Sequence, residues 1–359
     1  MTFLLKHGAG NPRNSEGSFV RLADGRLLLI YSRYLGTSAH DHATADLAQC
    51  FSTDGGATWS APEVVVKNPA LNAMSVSLLR LADGRIAFLY AVKSDVPGHP
   101  GFVDCRPWIR FSADEAASWS EPVEIAGVPP VYLVVNNDRL IQLANGRLLV
   151  PAACHPYRGG GLDLAAAALC FLSDDGGNTW RRSATVNHPP AWLRSGFQEP
   201  GAVELADGRI MAWCRTDSGC QWKCFSADGG ETWSEMIPAP EFKSPNSPLS
   251  MKRHPETGEL WAVWNDYAPQ RAVHFEPWRG GMGRTPLVLA RSRDEGATWI
   301  DHTVLESAPD HGYAYTAMLF LDRNRLLLEY CCGSKTDCIS MLQDSRIRIV
   351  DLPPAKQGD

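Results

Sequence analysis

The 359-residue sequence predicts an all-β protein, namely a six-bladed β-propeller with four-stranded antiparallel blades that forms one domain over residues 1–359. The first observation behind this prediction is a motif that follows an apolar stretch and reads Ser-x-Asp-x-Gly-x-Thr-Trp in its full form. One motif that recurs every 53 to 66 residues is typical of repeat architectures. The five copies are Ser52–Trp59, Ser112–Trp119, Ser173–Trp180, Ser226–Trp233 and Ser292–Trp299.

The motif itself indicates a structural role. Asp and Gly favour a tight turn, the Ser, Thr and Asp side chains bond nearby backbone N–H groups, and Trp fills the space beside the turn. The second observation is a hairpin turn, Asp-Gly or Asn-Gly between apolar stretches, ahead of each of the first four motifs. These hairpins are Leu22–Arg26, Leu81–Arg85, Leu143–Arg147 and Leu205–Arg209, and turn segments at 256–259 and 322–325 hold the equivalent places later in the chain.

Six hairpins and five motifs together predict six blades, with each motif between the third and fourth strands. The third observation concerns the sixth blade. Its hairpin is followed by a third strand at Arg346–Val350, and the sequence shows no fourth strand after it. Thr2–Lys6 is a short strand with no other place. We therefore expect it to supply the missing outer strand and to close the ring, which removes open sheet edges.

The composition excludes several classes of function. A hydrophobic content of 44% and a charged content of 21% suit a soluble protein with a large core. A net charge of −6 argues against nucleic acid or an anionic membrane as the main partner. No stretch reaches the length of a membrane span, and the N-terminus lacks the basic start and long apolar region of a secretory signal, so we expect a cytoplasmic protein.

Polar residues gather at one end of the predicted blades, opposite the repeated motifs. First strands begin there, second strands end there, and the loops into third strands lie beside them. Polar groups that converge at one mouth of a propeller predict a ligand pocket. The ring of candidates includes Glu16, Arg33, Asp41, His42, Ser75, Lys93, Asp104, Arg106, Asp138, His155, Glu199, Arg215, Asp217, Asn246, Arg284 and Tyr315.

The repeated motifs are Asp boxes, and the chain resembles the sialidase (neuraminidase) superfamily over essentially its whole length. That family orders its site residues as an arginine, an acid/base aspartate, a glutamate, two further arginines and a tyrosine. The resemblance assigns the last four to Glu199, Arg215, Arg284 and Tyr315. It implies that Tyr315 is the nucleophile, that Glu199 is its base and that the two arginines bind the carboxylate of an acidic sugar. A tyrosine suits this reaction because the substrate carboxylate would repel an acidic nucleophile.

The N-terminal part of the chain follows the family pattern less closely. Counting back from the first hairpin places Arg13 about two residues too early for the first arginine. Either the arginine triad is a pair, or Arg33 or Arg106 completes it. The acid/base position falls on Asp41 or His42, and both residue types can transfer protons near neutral pH.

Other polar residues at the mouth are candidates for supporting roles. We expect these residues to contact the substrate or to brace residues that do, rather than to act as catalysts; they are Asp104, Arg106, Asp138, His155 and Asp217. Tyr313 competes with Tyr315 for the nucleophile role, because residues two apart share a strand face.

The leading hypothesis is an exo-acting retaining glycoside hydrolase that releases a terminal acidic sugar. One alternative is a polysaccharide lyase acting on uronic-acid glycans, since histidine, tyrosine and arginine at the mouth can neutralise a uronate and abstract its α-proton. A second alternative is a non-catalytic carbohydrate-binding propeller, because a fold does not fix a function. No metal and no organic cofactor is expected.

Overall fold

The computed structural model describes residues 2–126, 132–158 and 160–353 and shows an all-β chain. Its first strand is β1 (Thr2–Leu5). A four-stranded antiparallel meander follows, in the order β2, β3, β4 and β5. These strands are β2 (Asn14–Arg21), β3 (Leu27–Tyr34), β4 (Ala45–Ser52) and β5 (Glu63–Val66).

The next two repeats are joined into one nine-stranded sheet, where the sequence predicts two separate blades. The first repeat consists of β6 (Asn72–Arg80), β7 (Ile86–Asp95), β8 (Val103–Ser112) and β9 (Val123–Glu124). A linking strand, β10 (Tyr132–Val134), pairs with β8 in parallel and with the following repeat in antiparallel fashion. That repeat contains β11 (Ile141–Gln142), β12 (Leu148–His155), β15 (Ala167–Ser173) and β16 (Arg181–Arg182). Between β12 and β15 the chain forms a separate hairpin of β13 (Tyr157–Arg158) and β14 (Gly161–Leu162).

Two more four-stranded antiparallel meanders follow. The first comprises β17 (Gln198–Glu204), β18 (Ile210–Arg215), β19 (Cys220–Ser226) and β20 (Ile237–Lys243). The second comprises β21 (Ser250–Arg253), β22 (Leu260–Trp264), β23 (Leu287–Ser292) and β24 (Ile300–Glu306). Short 3-10 turns at Pro269–Arg271 and Arg279–Gly281 lie between β22 and β23. No helix in the described residues is long and apolar enough to cross a membrane.

The N-terminal strand completes the last sheet. The order of that sheet is β1, β27 (Ser345–Asp351), β26 (Arg325–Cys331) and β25 (Ala314–Asp322). Strand β1 runs antiparallel to β27, from Thr2 opposite Arg348 to Leu5 opposite Ser345. A hydrophobic cluster joins this sheet to the first one, and it contains Leu5 together with side chains of β2, β3 and β26.

The repeated motif forms the turn between the third and fourth strands of its repeat. In the first copy, Asp54 accepts hydrogen bonds from the backbone N–H groups of Ala57 and Thr58 and from the Thr58 hydroxyl. Ser52 accepts one from the backbone N–H of Gly56. The Trp59 indole N–H donates to the Gly56 carbonyl at 3.3 Å. The recurring residues of the motif therefore stabilise the turn through local hydrogen bonds.

A left-handed residue interrupts the inner strand of several sheets and positions the polar ring. In β2, β6, β17 and β25 this residue lies within a register shift of the strand pairing. A positive φ in a non-glycine residue costs about 1–3 kcal/mol and is maintained only by surrounding packing. A bulge of this kind changes the direction of a side chain from the one that regular alternation along the strand would give it. The residues and φ angles are Glu16 (58°), Ser75 (60°), Asp138 (60°), Glu199 (48°) and Tyr315 (61°).

Candidate active site

A pocket lies where the inner strands of several sheets begin. Four of the left-handed residues line it directly, namely Glu16, Ser75, Glu199 and Tyr315, together with the loop residue Asp41. A larger groove, lined by residues between 154 and 194, contains none of the predicted site residues. The other residues that line the pocket are Met74, Ala91, Lys93, Cys105, Tyr132, Val134, Val135 and Asn136.

Four side chains meet at one side of this pocket. The Tyr315 hydroxyl donates a hydrogen bond to Glu199 Oε1 at 2.9 Å. Arg215, at the end of β18, donates from Nη1 to the same carboxylate oxygen at 2.7 Å and to the Tyr315 oxygen at 3.3 Å. The Arg284 guanidinium lies 5.3 Å from the centre of the Tyr315 ring. The structure thus brings together four residues that span 116 positions of the sequence.

Several polar atoms at this position lack partners. Within the described residues, Glu199 Oε2 and Arg284 Nε and Nη1 are buried and have no hydrogen-bond partner. Arg284 keeps one bond, from Nη2 to the Asn246 carbonyl at 3.1 Å. Unpaired buried polar groups cost about 1–3 kcal/mol each and are uncommon. A buried guanidinium with two unpaired donors is suited to an anion such as a carboxylate.

The environment of Tyr315 keeps its hydroxyl protonated. Burial, together with the charge of Glu199, raises the pKa of Tyr315 well above its ordinary value, although Arg284 and Arg215 act in the opposite direction. A phenol that attacks an electrophile at neutral pH must therefore lose its proton to a base in contact. Glu199 is the carboxylate in contact with the Tyr315 hydroxyl.

Arg13 reaches the pocket from β2's N-terminal side. It is buried, and it donates from Nη2 to Glu16 Oε1 at 2.8 Å and from Nη1 to Asp41 Oδ1 at 2.5 Å. Counting from the hairpin places Arg13 two residues too early because regular pairing is assumed. The register shift between Ser15 and Ser18 adds one residue to β2 and accounts for part of the difference.

Asp41 lies at the mouth of the pocket, and 56% of its side chain is exposed. Its backbone carbonyl accepts hydrogen bonds from Lys93 Nζ at 2.9 Å and from Asn72 Nδ2 at 2.7 Å. Desolvation by the surrounding protein acts to raise the pKa of Asp41, but the charges of Arg13 and Lys93 outweigh it and hold the pKa well below its ordinary value. Asp41 is therefore ionised while it remains paired with Arg13.

Two predicted histidines contact Tyr132, which lines the pocket. His42 Nε2 lies 3.2 Å from the Tyr132 oxygen, and burial lowers the pKa of His42. His155 packs edge-on against the same ring with 5.8 Å between ring centres. Its Nδ1 lies 3.1 Å from the Asp163 carbonyl, and burial lowers the pKa of His155. Both histidines are thus close to the pocket, and both are shifted toward the neutral form.

Three other predicted binding residues are not brought to the pocket. Arg106 forms ion pairs with Asp104 and Glu124, each at 2.5 Å, on the outer strands of its sheet. Asp217 accepts a hydrogen bond at 3.1 Å from a serine hydroxyl of the preceding loop. Arg33 is half-buried on β3 and does not line the pocket. Among Arg13, Arg33 and Arg106, Arg13 bonds two residues that line the pocket, Glu16 and Asp41.

Asp138 connects inner strands across the centre of the molecule. Its Oδ1 accepts hydrogen bonds from the Ser18 hydroxyl at 2.9 Å and from Lys252 Nζ at 2.7 Å, and its Oδ2 accepts one from the Met318 N–H at 2.9 Å. The carboxylate is buried and fully occupied by these partners. This environment favours a bracing role for Asp138 over direct contact with a substrate.

Similarly, Tyr313 lies in the hydrophobic core between the last two sheets, in the same cluster as Tyr330. The left-handed conformation of Tyr315 breaks the alternation that would place the two tyrosines on one face. Tyr313 is therefore separated from the pocket.

Four residues gain a specific role that sequence reasoning did not assign. Glu16 accepts a hydrogen bond from the Ser75 hydroxyl at 2.5 Å, and burial raises the pKa of Glu16. The Asn246 side chain accepts from Arg215 Nε at 2.6 Å, so Asn246 orients both arginines of the Tyr315 side. Tyr132 lies on the linking strand β10, for which the sequence carries no repeat signal. Glu16, Ser75 and Asn246 belong to the polar ring that the sequence predicts, so their place at that end of the blades was the signal that could have identified them.

Comparison with known proteins gives the family. The BNR repeat-like domain family matches residues 77–326. A Macrobdella decora protein named anhydrosialidase is 34% identical over 240 residues, which is 62% of this chain and 29% of that protein. A Micromonospora viridifaciens sialidase is 25% identical over 327 residues, which is 81% of this chain and 47% of that protein. The chain therefore spans less than half the length of these curated relatives.

Among solved structures, the Hadza microbial sialidase Hz136 resembles this chain with a TM-score of 0.75 at 19% identity, covering 98% of this chain and 68% of that one. At this level of identity the similarity concerns the fold. Together with the match over most of the chain and the sequence relatives, it identifies the group to which the protein belongs. The chain is a member of the BNR repeat-like domain family and of the sialidase superfamily.

Proposed function

We propose that this chain is an exo-acting retaining sialidase that releases a terminal sialic acid or a closely related acidic sugar. The observation that carries the proposal is the 2.9 Å hydrogen bond from the Tyr315 hydroxyl to Glu199, with Arg215 bonded to both groups. The relatives named sialidase and anhydrosialidase support the substrate class. The unpaired donors of Arg284 support the binding of a carboxylate.

The proposal includes a closed six-bladed propeller as the scaffold. The antiparallel pairing of β1 with β27 and the hydrophobic cluster between the last and first sheets support closure. The linking strand β10 adds pairing between the second and third blades without removing either. Six inner strands then surround one axis, and the left-handed residues direct Glu16, Glu199 and Tyr315 toward one mouth.

In the first chemical step, Glu199 takes the phenolic proton while the Tyr315 oxygen forms a bond to the anomeric carbon. The bond from that carbon to the leaving oxygen breaks, and Asp41 donates a proton to the departing group. In the second step, Asp41 takes a proton from water, the water oxygen bonds to the anomeric carbon, and the bond to Tyr315 breaks as Glu199 returns its proton. Two inversions at one carbon give net retention.

Binding of the substrate prepares Asp41 for its role as an acid. The free pocket pairs Asp41 with Arg13, which keeps the carboxylate ionised. A substrate carboxylate held by Arg13, Arg215 and Arg284 neutralises part of the charge that depresses the pKa of Asp41. The pKa of Asp41 then rises toward the range in which the group can donate a proton.

The test is a matched pair of tyrosine variants assayed on an aryl sialoside. We expect Tyr315→Phe to lower kcat by about 10³-fold with little change in substrate binding, because it removes only the attacking oxygen. Tyr313→Phe is the control, since it removes a hydroxyl two positions away, outside the pocket. Circular dichroism and the melting temperature check that both variants fold.

The products distinguish this proposal from its alternatives. Release of a free acidic sugar supports hydrolysis, whereas an anhydro sugar would indicate intramolecular transfer by the same tyrosine. An unsaturated product absorbing in the ultraviolet would show a lyase, and binding without turnover would show a carbohydrate-binding propeller. Near-normal turnover in Tyr315→Phe would contradict the proposed nucleophile.

A further inference from the structure

A cluster of three metal-ligating side chains lies outside the pocket, where the N-terminal segment meets the last sheet. His7 follows β1, while Cys338 and Asp344 belong to the segment between β26 and β27. His7 Nδ1 lies 2.6 Å from Asp344 Oδ1. Cys338 Sγ lies 3.7 Å from Asp344 Oδ2 and 4.0 Å from His7 Nδ1. Residues separated by more than 330 positions are thus within reach of a single ion.

We propose that His7, Cys338 and Asp344 form a Zn²⁺-binding site that fastens the N-terminal segment to the last sheet. Imidazole nitrogen, thiolate sulfur and carboxylate oxygen are the ligands that zinc prefers. Bonds of about 2.0–2.3 Å place tetrahedral ligand atoms about 3.3–3.8 Å apart. The three ligand atoms already lie within 4.8 Å of one another, so small side-chain movements form the shell and leave a fourth position for water.

The surroundings of the cluster favour a cation. Cys338 and Asp344 are buried, and His7 is half-buried. The backbone N–H of His7 donates to Asp344 Oδ1 at 2.7 Å and orients the carboxylate. The carboxylate of Asp337 adds a further negative charge beside the thiol. Outer hydrogen bonds of this kind commonly orient the ligands of a metal site.

Metal binding must release the thiol proton. Burial and the charge of Asp344 raise the pKa of Cys338 to about 11, so the metal-free thiol is protonated at neutral pH. Zinc replaces that proton, which passes to solvent, and no electron is transferred. Affinity for the metal therefore increases with pH.

The same geometry argues against a nucleophilic cysteine. In a Cys-His-Asp relay the two nitrogens of the imidazole contact different partners. Here Nδ1 of His7 is the atom nearest to both Cys338 and Asp344. Reactive thiols also have lowered pKa values, whereas the pKa of Cys338 is raised.

The experiment measures zinc retained by the full chain after dialysis against metal-free buffer. We expect about one Zn²⁺ per chain in the wild type, and about tenfold less in Cys338→Ser and His7→Gln. Cys154→Ser is the control, because Cys154 is a half-buried free cysteine on another sheet. Zinc should also raise the melting temperature of the wild type by about 3 °C and leave that of His7→Gln unchanged.

A second measurement uses the wild type, so its result does not depend on whether the cysteine variant folds. In the wild type, bound zinc should slow alkylation of Cys338 by iodoacetamide, as followed by peptide mass spectrometry. Zinc retention equal in the wild type and His7→Gln, or equal alkylation of Cys338 with and without zinc, would overturn the site. Neither measurement uses glycosidase activity, so its outcome is independent of the proposed function.

Discussion

At the scale of single residues, backbone conformation decides which side chains reach the pocket. Tyr313 and Tyr315 are two positions apart and would share a face of a regular strand. The left-handed φ of 61° at Tyr315 sends it to the pocket, while Tyr313 joins the core. Nothing in an alternating pattern predicts a left-handed tyrosine, because its stability comes from tertiary packing. The sequence therefore predicts both candidates, and the bulge distinguishes them.

A second consequence at this scale concerns Glu329, a fully buried carboxyl on β26. Its Oε2 accepts a hydrogen bond from the Gly17 N–H at 3.2 Å, and its Oε1 has no partner in the described residues. Burial raises the pKa of Glu329 from 4.5 to about 8. The stability contributed by this group is fully present below pH 4.5 and is lost as the pH rises toward about 8.

We therefore expect Glu329→Gln to remove this pH dependence, because glutamine stays neutral and can still accept the bond from Gly17. The melting temperature of the variant relative to the wild type should rise by several degrees between pH 5 and pH 8. Glu121→Gln, at an exposed carboxylate, is the control. Parallel pH profiles for Glu329→Gln and the wild type would show that Glu329 titrates normally.

At the scale of strands and turns, the sequence predicts local turns better than it predicts pairing between distant strands. The hairpins, the repeated motifs and the pairing of the N-terminal strand with Arg346–Val350 follow from turn residues and apolar stretches. The linking strand β10 carries no such signal, and its pairing with β8 and β12 joins two predicted blades into one sheet. Counting along β2 is also affected by a bulge, which adds one residue between Ser15 and Ser18 without a sequence marker.

The attachment of β1 can be tested with two neighbouring leucines. Leu5 is buried in the cluster that joins the last and first sheets, whereas Leu4 is 41% exposed. Leu5→Ala should lower the free energy of unfolding by about 2–4 kcal/mol. Leu4→Ala should change it by less than about 0.5 kcal/mol. Urea denaturation measures both, and equal effects would mean that β1 does not secure the last sheet.

At the scale of the whole molecule, the site exists only because distant segments converge on one mouth. The resemblance to the sialidase family predicts Glu199, Arg215, Arg284 and Tyr315 as a group. In the structure Glu199 and Tyr315 lie at the start of β17 and β25, Arg215 ends β18, and Arg284 lies in the loop before β23. Their chemistry depends on contacts that no single segment contains, such as the bond between residues 199 and 315. We propose that this convergence makes Tyr315 a covalent nucleophile.

The most direct test of that claim is covalent trapping with a 2,3-difluorinated sialic acid, whose glycosyl-enzyme intermediate breaks down slowly. Intact mass spectrometry of the full chain, followed by peptide mapping, locates any adduct. We expect one sugar per chain, attached to the phenolic oxygen of Tyr315, no adduct in Tyr315→Phe, and labelling of Tyr313→Phe equal to that of the wild type. An adduct on Glu199, or an active enzyme that forms no adduct at Tyr315, would contradict the account.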